Sequence, residues 1–165
     1  MKKKTILVTG GLGFIGSNLV LHLIKLNYFV IVLDKKTYSS NLMNLKNIKR
    51  NQFKLIISDI NNKFQVSKIL KKYNPVGIFN LAAETHVDRS IDSPEIFVKS
   101  NVNGVLVLLE QLERGLSNEH KVKKLGLSET GKPFSGYDVL ISTNLRSRDF
   151  LMKAVENCDL LIIDE

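Results

Sequence analysis

The chain has 165 residues, 44% hydrophobic and 24% charged, enough for one domain with a core but short for an enzyme that must close a dinucleotide site over a second substrate. No window approaches the ~20 apolar residues of a membrane span, so no span is expected; a lone Cys158 excludes an intrachain disulfide, and no Cys/His cluster has metal-ligand spacing, so no metal is expected either. The net charge of +8 is N-terminal: residues 1–112 carry 16 Lys/Arg against 7 Asp/Glu, and residues 113–165 carry 8 against 9. Those lysines are scattered without interleaved aromatics, which argues against a nucleic-acid surface. Lys2 to Lys4 lead into a β-type run that ends in glycines, with no longer apolar segment and cleavage site behind them, so a cytoplasmic protein is expected.

Short β-branched runs alternate with amphipathic stretches, the pattern of βαβ units and a parallel sheet. Strands are predicted at Thr5–Thr9, Phe29–Leu33, Phe53–Ile57 and Val76–Asn80, and helices at Phe14–Leu26 and Lys63–Tyr73. A turn-rich crossover at Thr37–Arg50 has room for one helical turn, and a longer helix is predicted over Pro94–Leu112. Beyond about Glu113 the chain turns polar, then glycine- and proline-punctuated, before a strand at Val139–Ser142, a helix at Arg146–Glu156 and an apolar strand at Leu160–Ile163. The expectation is an α/β, Rossmann-like doubly wound parallel sheet that looks truncated. Residues 1–113 form a dinucleotide-binding half-domain in it, and 114–165 are a divergent segment.

The spacing Gly10, Gly13, Gly16 falls between the first strand and its helix. A pyrophosphate is stabilised by helix-terminal N–H groups only if the main chain comes close, and glycines remove the Cβ atoms that would stand in the way. Gly10 permits the turn, Gly13 the approach to phosphate and Gly16 the packing of helix on strand. Asp34 ends the second strand 18 residues past Gly16, near the ~20 at which a carboxylate meets the adenosine ribose. Its two oxygens suit a ribose diol and repel a 2′-phosphate, favouring NAD over NADP, although Lys35 and Lys36 beside it moderate that repulsion. Asp59, after the third strand, fits either recognition of an adenine amino group or the N-cap of the next helix. Ala82 and Ala83 leave room at the end of the fourth strand. Thr85, His86, Asp88 and Arg89 follow as a polar cluster, either beside a nicotinamide and its substrate or as a capped loop with an ion pair.

Together, VTGGLGFIGSN, LDKKTYSSNLMNL, SDI and NLAAETHVDRSIDSPEIFVKSNVNG resemble the extended short-chain dehydrogenase/reductase family and, within it, the dTDP-glucose 4,6-dehydratases, over about residues 4–112. The resemblance implies that Phe14 and Ile15, with the glycines, hold the pyrophosphate of NAD. It assigns the ribose to Asp34, Lys35, Lys36 and Thr37, and the adenine to Asp59 and Ile60. Leu81, Ala82, Ala83, Glu84 and Thr85 would line the nicotinamide side, with Ser100 also on the cofactor. A dTDP-glucose-like nucleotide sugar would meet Thr85, His86, Asp88 and Arg89. The implied chemistry removes hydride at C4, eliminates water across C5 and C6, and returns hydride to C6. A homodimer is left open as the assembly.

That chemistry needs a tyrosine and lysine in YxxxK and a Thr-Asp-Glu set. Tyr28, Tyr38, Tyr73 and Tyr137 all lack a lysine four residues on. Thr143 follows a predicted strand as the family threonine would, but Asn144 and Leu145 stand where the acids belong, leaving Thr143 as the sole catalytic candidate. The resemblance therefore implies either the cofactor-binding portion of such a dehydratase or a non-catalytic dinucleotide or nucleotide-sugar binder. Residues 137–165 also resemble a helicase-type ATPase segment ending in Asp164 and Glu165, as a gene fusion would leave. No GxxxxGK[ST] loop accompanies it, and the alternative is a core strand ending in solvated acids.

Overall fold

Every residue of Thr5–Thr9 (β1) after the first is buried, as is every residue of Phe29–Asp34 (β2) after Phe29 and all of Gly77–Asn80 (β4). Continuous apolar runs of this kind mark parallel strands covered on both faces. Phe53–Ile57 (β3) is only half-buried and exposes Lys54 and Ile57, as suits a strand with one neighbour. In this computed structural model, which describes residues 3–85, 91–115, 122–124, 137–142 and 158–164, the strands form one parallel sheet. Its later members are Val122–Lys124 (β5), Tyr137–Ser142 (β6) and Cys158–Asp164 (β7), and the order is β3-β2-β1-β4-β7-β6-β5.

Successive side chains of a strand point to opposite faces, which divides the core into two layers. Ile6, Val8, Val30, Val32 and Phe79 pack with Val20 and Leu23 of the helix Phe14–Lys25 (α1). Leu7, Ile31, Leu33 and Ile78 face the other way, onto Val66, Ile69 and Leu70 of Lys63–Tyr73 (α2) and Val107, Leu108 and Leu112 of a later helix. Helices thus cover both faces, the doubly wound Rossmann-like arrangement expected from the alternating pattern. Among the described residues no helix is long and apolar enough to cross a membrane.

Helix ends follow local chemistry. After α1, Asn27 adopts φ 68°, its N–H bonds to Ile24, and the Tyr28 N–H bonds to Leu23, a Schellman closure in which asparagine takes the left-handed position usually given to glycine. Asn62 caps α2, its side chain accepting from the Gln65 N–H. The helix cap weighed for Asp59 therefore falls to Asn62. The crossover after β2 contains one 3₁₀ turn, Leu42–Leu45.

The longer helix starts at Pro94, as expected, but is not uniform. It runs as Pro94–Phe97 (α3), widens to a π-helical stretch at Val98–Asn103, and continues as Gly104–Gly115 (α4). Such widenings collect at functional sites; here it carries Ser100 and Asn101. The strand β5 lies in a stretch the pattern assigns to polar connection, because three residues, two of them lysines, carry no periodic signal. Pairing with β6, Val122 opposite Val139, defines it. The helix expected at Arg146–Glu156 lies outside the described residues.

Candidate functional site

Register brings the carboxyl ends of the strands level: Thr9 stands opposite Leu33 on β2 and Asn80 on β4, and Asp34 opposite Ile57 on β3. From β1 the chain winds outward to β2 and β3, and β4 returns on the other side of β1. Ligands bind where winding reverses in such sheets, outside the carboxyl ends. A solvent-open cleft of about 470 Å³ lies there, lined among others by Gly10, Gly13, Asp34, Thr37, Leu81 and Ala82.

Its floor is the glycine turn. Gly10 has φ 65° and donates its N–H to the Leu33 carbonyl; a Cβ there would run into the backbone of Leu81 and Ala82. At Gly16 a Cβ would collide with the Gly10 carbonyl, so the first turn of α1 can lie on the end of β1 only without one. Gly13 differs. A Cβ added there would meet just the Gly10 oxygen, at 3.3 Å, and otherwise project into open space. Gly13 is also the N-cap of α1 and supplies no side-chain cap, and no acid stands in the first turn. The helix-terminal N–H groups and positive dipole end are thus available to an anion. Phe14, 83% exposed, and Ile15 flank this helix end.

Asp34, only 6% exposed, is engaged by the protein more fully than its spacing reveals. Its Oδ2 accepts from the Leu12 N–H at 3.0 Å, and its Oδ1 from the Lys36 N–H at 2.8 Å and the Ser40 hydroxyl at 2.7 Å. A carboxylate has about four acceptor positions, so about one, on Oδ2, is left for a further donor. The same bonds join the glycine loop to the turn after β2, and the Asn41 N–H reinforces the join by donating to the Leu12 carbonyl.

Asp59 accepts on Oδ1 from both the backbone and the side chain of Asn61, each at 2.8 Å. Partial burial on its own would raise its pKa; the Asn61 hydrogen bonds, with the charges of Lys35 and Lys99, outweigh that and hold it below the ordinary 3.8. A carboxyl lowered on folding stabilises the fold above its unfolded pKa, and the contribution is lost as pH falls through the folded value. Thermal melts from pH 7 to pH 3 are therefore expected to show the stability gap between wild type and Asp59→Asn constant near neutrality and closing below about pH 4. Ile60 is buried next to it, where Gly104 leaves it room.

On the β4 side, the Thr9 hydroxyl donates to Asn80 Oδ1 at 2.6 Å and accepts from the N–H groups of Leu81 and Ala82, each at 3.2 Å. One donor and two lone pairs are all used, latching β1 to the segment beneath the cleft. Thr9→Val is expected to destabilise by about 1–3 kcal/mol, because the Ala82 N–H loses its acceptor. Urea unfolding should show a lower midpoint at unchanged m, with Thr9→Ser restoring most of it. Beyond Ala83, Glu84 is held at both backbone groups by the Asn101 amide, at 2.9 and 3.0 Å. Lys35 reaches across to pair with Glu84 Oε1 at 2.9 Å and donates to the Ser100 hydroxyl at 3.0 Å.

The structure thus brings Gly10, Gly13, Asp34, Lys35, Thr37, Ile60, Leu81 and Ala82 to one cleft, with Glu84 and Ser100 joined to it through Lys35. Thr85 is exposed at the end of that segment. His86, Asp88, Arg89 and Thr143 lie outside the described residues. The strand leading to Thr143, β6, is second from β4: β7 lies between them, with Asp164 opposite Asn80. Leu33, Ser39, Ser40 and Ser58 also line the cleft. The serines were missed because serine outside regular elements carries no spacing signal, and Leu33 because it reads as a core strand residue; Ser40 shows its role only as a partner of Asp34. Among the described residues no His/Cys/Asp/Glu group could hold a metal.

A family model described as GDP-mannose 4,6 dehydratase matches residues 7–130. The probable dTDP-glucose 4,6-dehydratase of Sinorhizobium fredii is 41% identical over 121 residues, 72% of this chain and 34% of the relative. The dTDP-glucose 4,6-dehydratase of Salmonella typhimurium is 43% identical over 107 residues, 64% of this chain and 30% of the relative. The chain therefore spans about a third of the length of the curated relatives it matches. Among solved structures, the dTDP-glucose 4,6-dehydratase of Streptomyces venezuelae with NAD and TYD bound superposes with a TM-score of 0.63 at 32% identity, covering 84% of this chain and 39% of that one. With the family match running over most of its length and a Rossmann-like sheet that agrees with it, this chain belongs to the GDP-mannose 4,6 dehydratase family.

Proposed function

We propose that this chain is the NAD-binding portion of a dTDP-glucose 4,6-dehydratase-like nucleotide-sugar enzyme working in the cytosol, with residues 1–113 forming the cofactor half. The observation that carries this is the cleft at the β1/β4 reversal, with a helix end and an acid placed for the two ends of a dinucleotide's phosphate-ribose half. Its groups fit NAD. Gly13 opens onto free space at an uncapped helix end, where a pyrophosphate can accept N–H bonds. Oδ2 of Asp34 keeps an acceptor position for a ribose hydroxyl. Oδ2 of Asp59 faces no bond from Asn61 and suits an adenine amino group.

Bound NAD would supply a hydride acceptor that can return what it takes. The chain's own part is to bind and orient. The latched segment after β4 sets a wall at Leu81 to Ala83, the two alanines leaving room, against which the nicotinamide end and a nucleotide sugar would lie; the family resemblance assigns Thr85, His86, Asp88 and Arg89 to the sugar. Proton transfer is a different matter, since no tyrosine of this chain has the lysine partner.

Calorimetry with NAD and NADP tests the reading: NAD should bind and NADP should bind more weakly, whereas heat from neither would defeat it. With saturating NAD and dTDP-glucose, the chain by itself is expected to yield no 4-keto product. Product formation would show that it holds a proton-transfer group other than YxxxK.

A further inference from the structure

Two lysines follow Asp34 directly, and a lysine next to the ribose acid is the group that would welcome a 2′-phosphate. Lys35 is not left to do so. Its ammonium is 2.9 Å from Glu84 Oε1 and 3.0 Å from Ser100 Oγ. The Glu84 side chain is 10% exposed and that of Lys35 32%, and the Asn101 clamp fixes the Glu84 backbone from both sides. The Asp59 carboxylate also feels the Lys35 charge. The pair spans from the end of β2 to the segment after β4, with β1 between them.

We propose that Glu84 is a specificity-determining positioning residue: by pairing with Lys35 and holding it against Ser100, it withholds that cation from a 2′-phosphate and so enforces the preference for NAD. The proposal rests on the cofactor reading above. Asp34 alone discriminates incompletely: its charge repels a 2′-phosphate, but with most of its acceptor capacity spent on Leu12, Lys36 and Ser40 it gains little from a ribose diol in return. Each cation near the ribose that is already paired weakens the attraction a 2′-phosphate would feel. A partly buried carboxylate on a clamped backbone does this for Lys35, while the exposed Lys36 lies outside the pair.

The test is calorimetric titration of NAD and NADP into wild type, Glu84→Gln, Lys35→Gln and the double variant. Glutamine keeps the backbone clamp and the side-chain shape. Glu84→Gln is expected to shrink the NADP:NAD Kd ratio by roughly tenfold, the scale of one charge-assisted bond to phosphate, with the gain lost again in the double variant. A ratio unchanged in Glu84→Gln, with both cofactors weakened alike, would make the pair a structural strap and overturn the proposal. So would a gain that survives removal of Lys35. Wild type binding neither cofactor would overturn the cofactor reading first, and this proposal with it.

Discussion

Gly10→Ala is expected to lower stability by about 3 kcal/mol or more, a fall in Tm on the order of 6–12 °C for a domain of this size. Two costs coincide. A non-glycine residue held at φ 65° is strained, and the new Cβ would strike the main chain of Leu81 and Ala82, which cannot rotate away as a side chain could. Those two residues are also latched to Thr9, so relief at one point breaks bonds at another. Gly13→Ala supplies the contrast. Its Cβ meets a single oxygen at 3.3 Å, and loss of a glycine N-cap costs at most about 1 kcal/mol. It should therefore melt close to wild type while losing roughly tenfold or more in NAD affinity, because the methyl projects toward the space a pyrophosphate would fill. Thermal melts and calorimetry on the two variants check both halves. Equal melting points would refute the division of labour between these glycines.

Asp34→Ala is expected to cost about 3 kcal/mol in stability as well as NAD binding, since it strips the acceptor from two backbone N–H groups and a serine hydroxyl at a buried position. Asp34→Asn is the sharper probe. An amide has one acceptor oxygen, so whichever way it turns, its NH₂ faces either the Leu12 N–H or the Lys36 N–H. The amide should therefore rescue less than half of the lost stability, although its shape is conserved. If Asp34→Asn unfolds at the wild-type denaturant midpoint, the carboxylate serves only the ligand and the loop-joining role drawn from its three bonds is wrong.

The central strands were legible in the sequence because a parallel sheet covered on both faces requires unbroken apolar runs, and TILVT, FVIVLD and GIFN have few other uses. Thr5–Thr9 and Phe53–Ile57 match their predicted limits, and Lys63–Tyr73 does so on the helical side. Helix length was less legible. Pro94 marks a start through its fixed φ, but nothing in VKSNVN announces a π-helical stretch, whose Ser100 and Asn101 meet Lys35 and Glu84. The strand β5 was invisible for the related reason that a short edge strand exists through its partner.

On its own, the sequence determined a parallel α/β sheet, a glycine turn at the end of its first strand and an acid at the end of its second, because each depends on residue type at a fixed local spacing. Only the tertiary structure decided which atoms those residues have left to offer. Asp34 turned out to be mostly spent on the protein and Asp59 tied to Asn61. The cation beside the ribose acid proved to be held by a glutamate 49 positions further along the chain. Contacts of that separation arise from sheet register and helix packing, and hydrogen-bonding capacity is consumed by whichever neighbours the fold supplies.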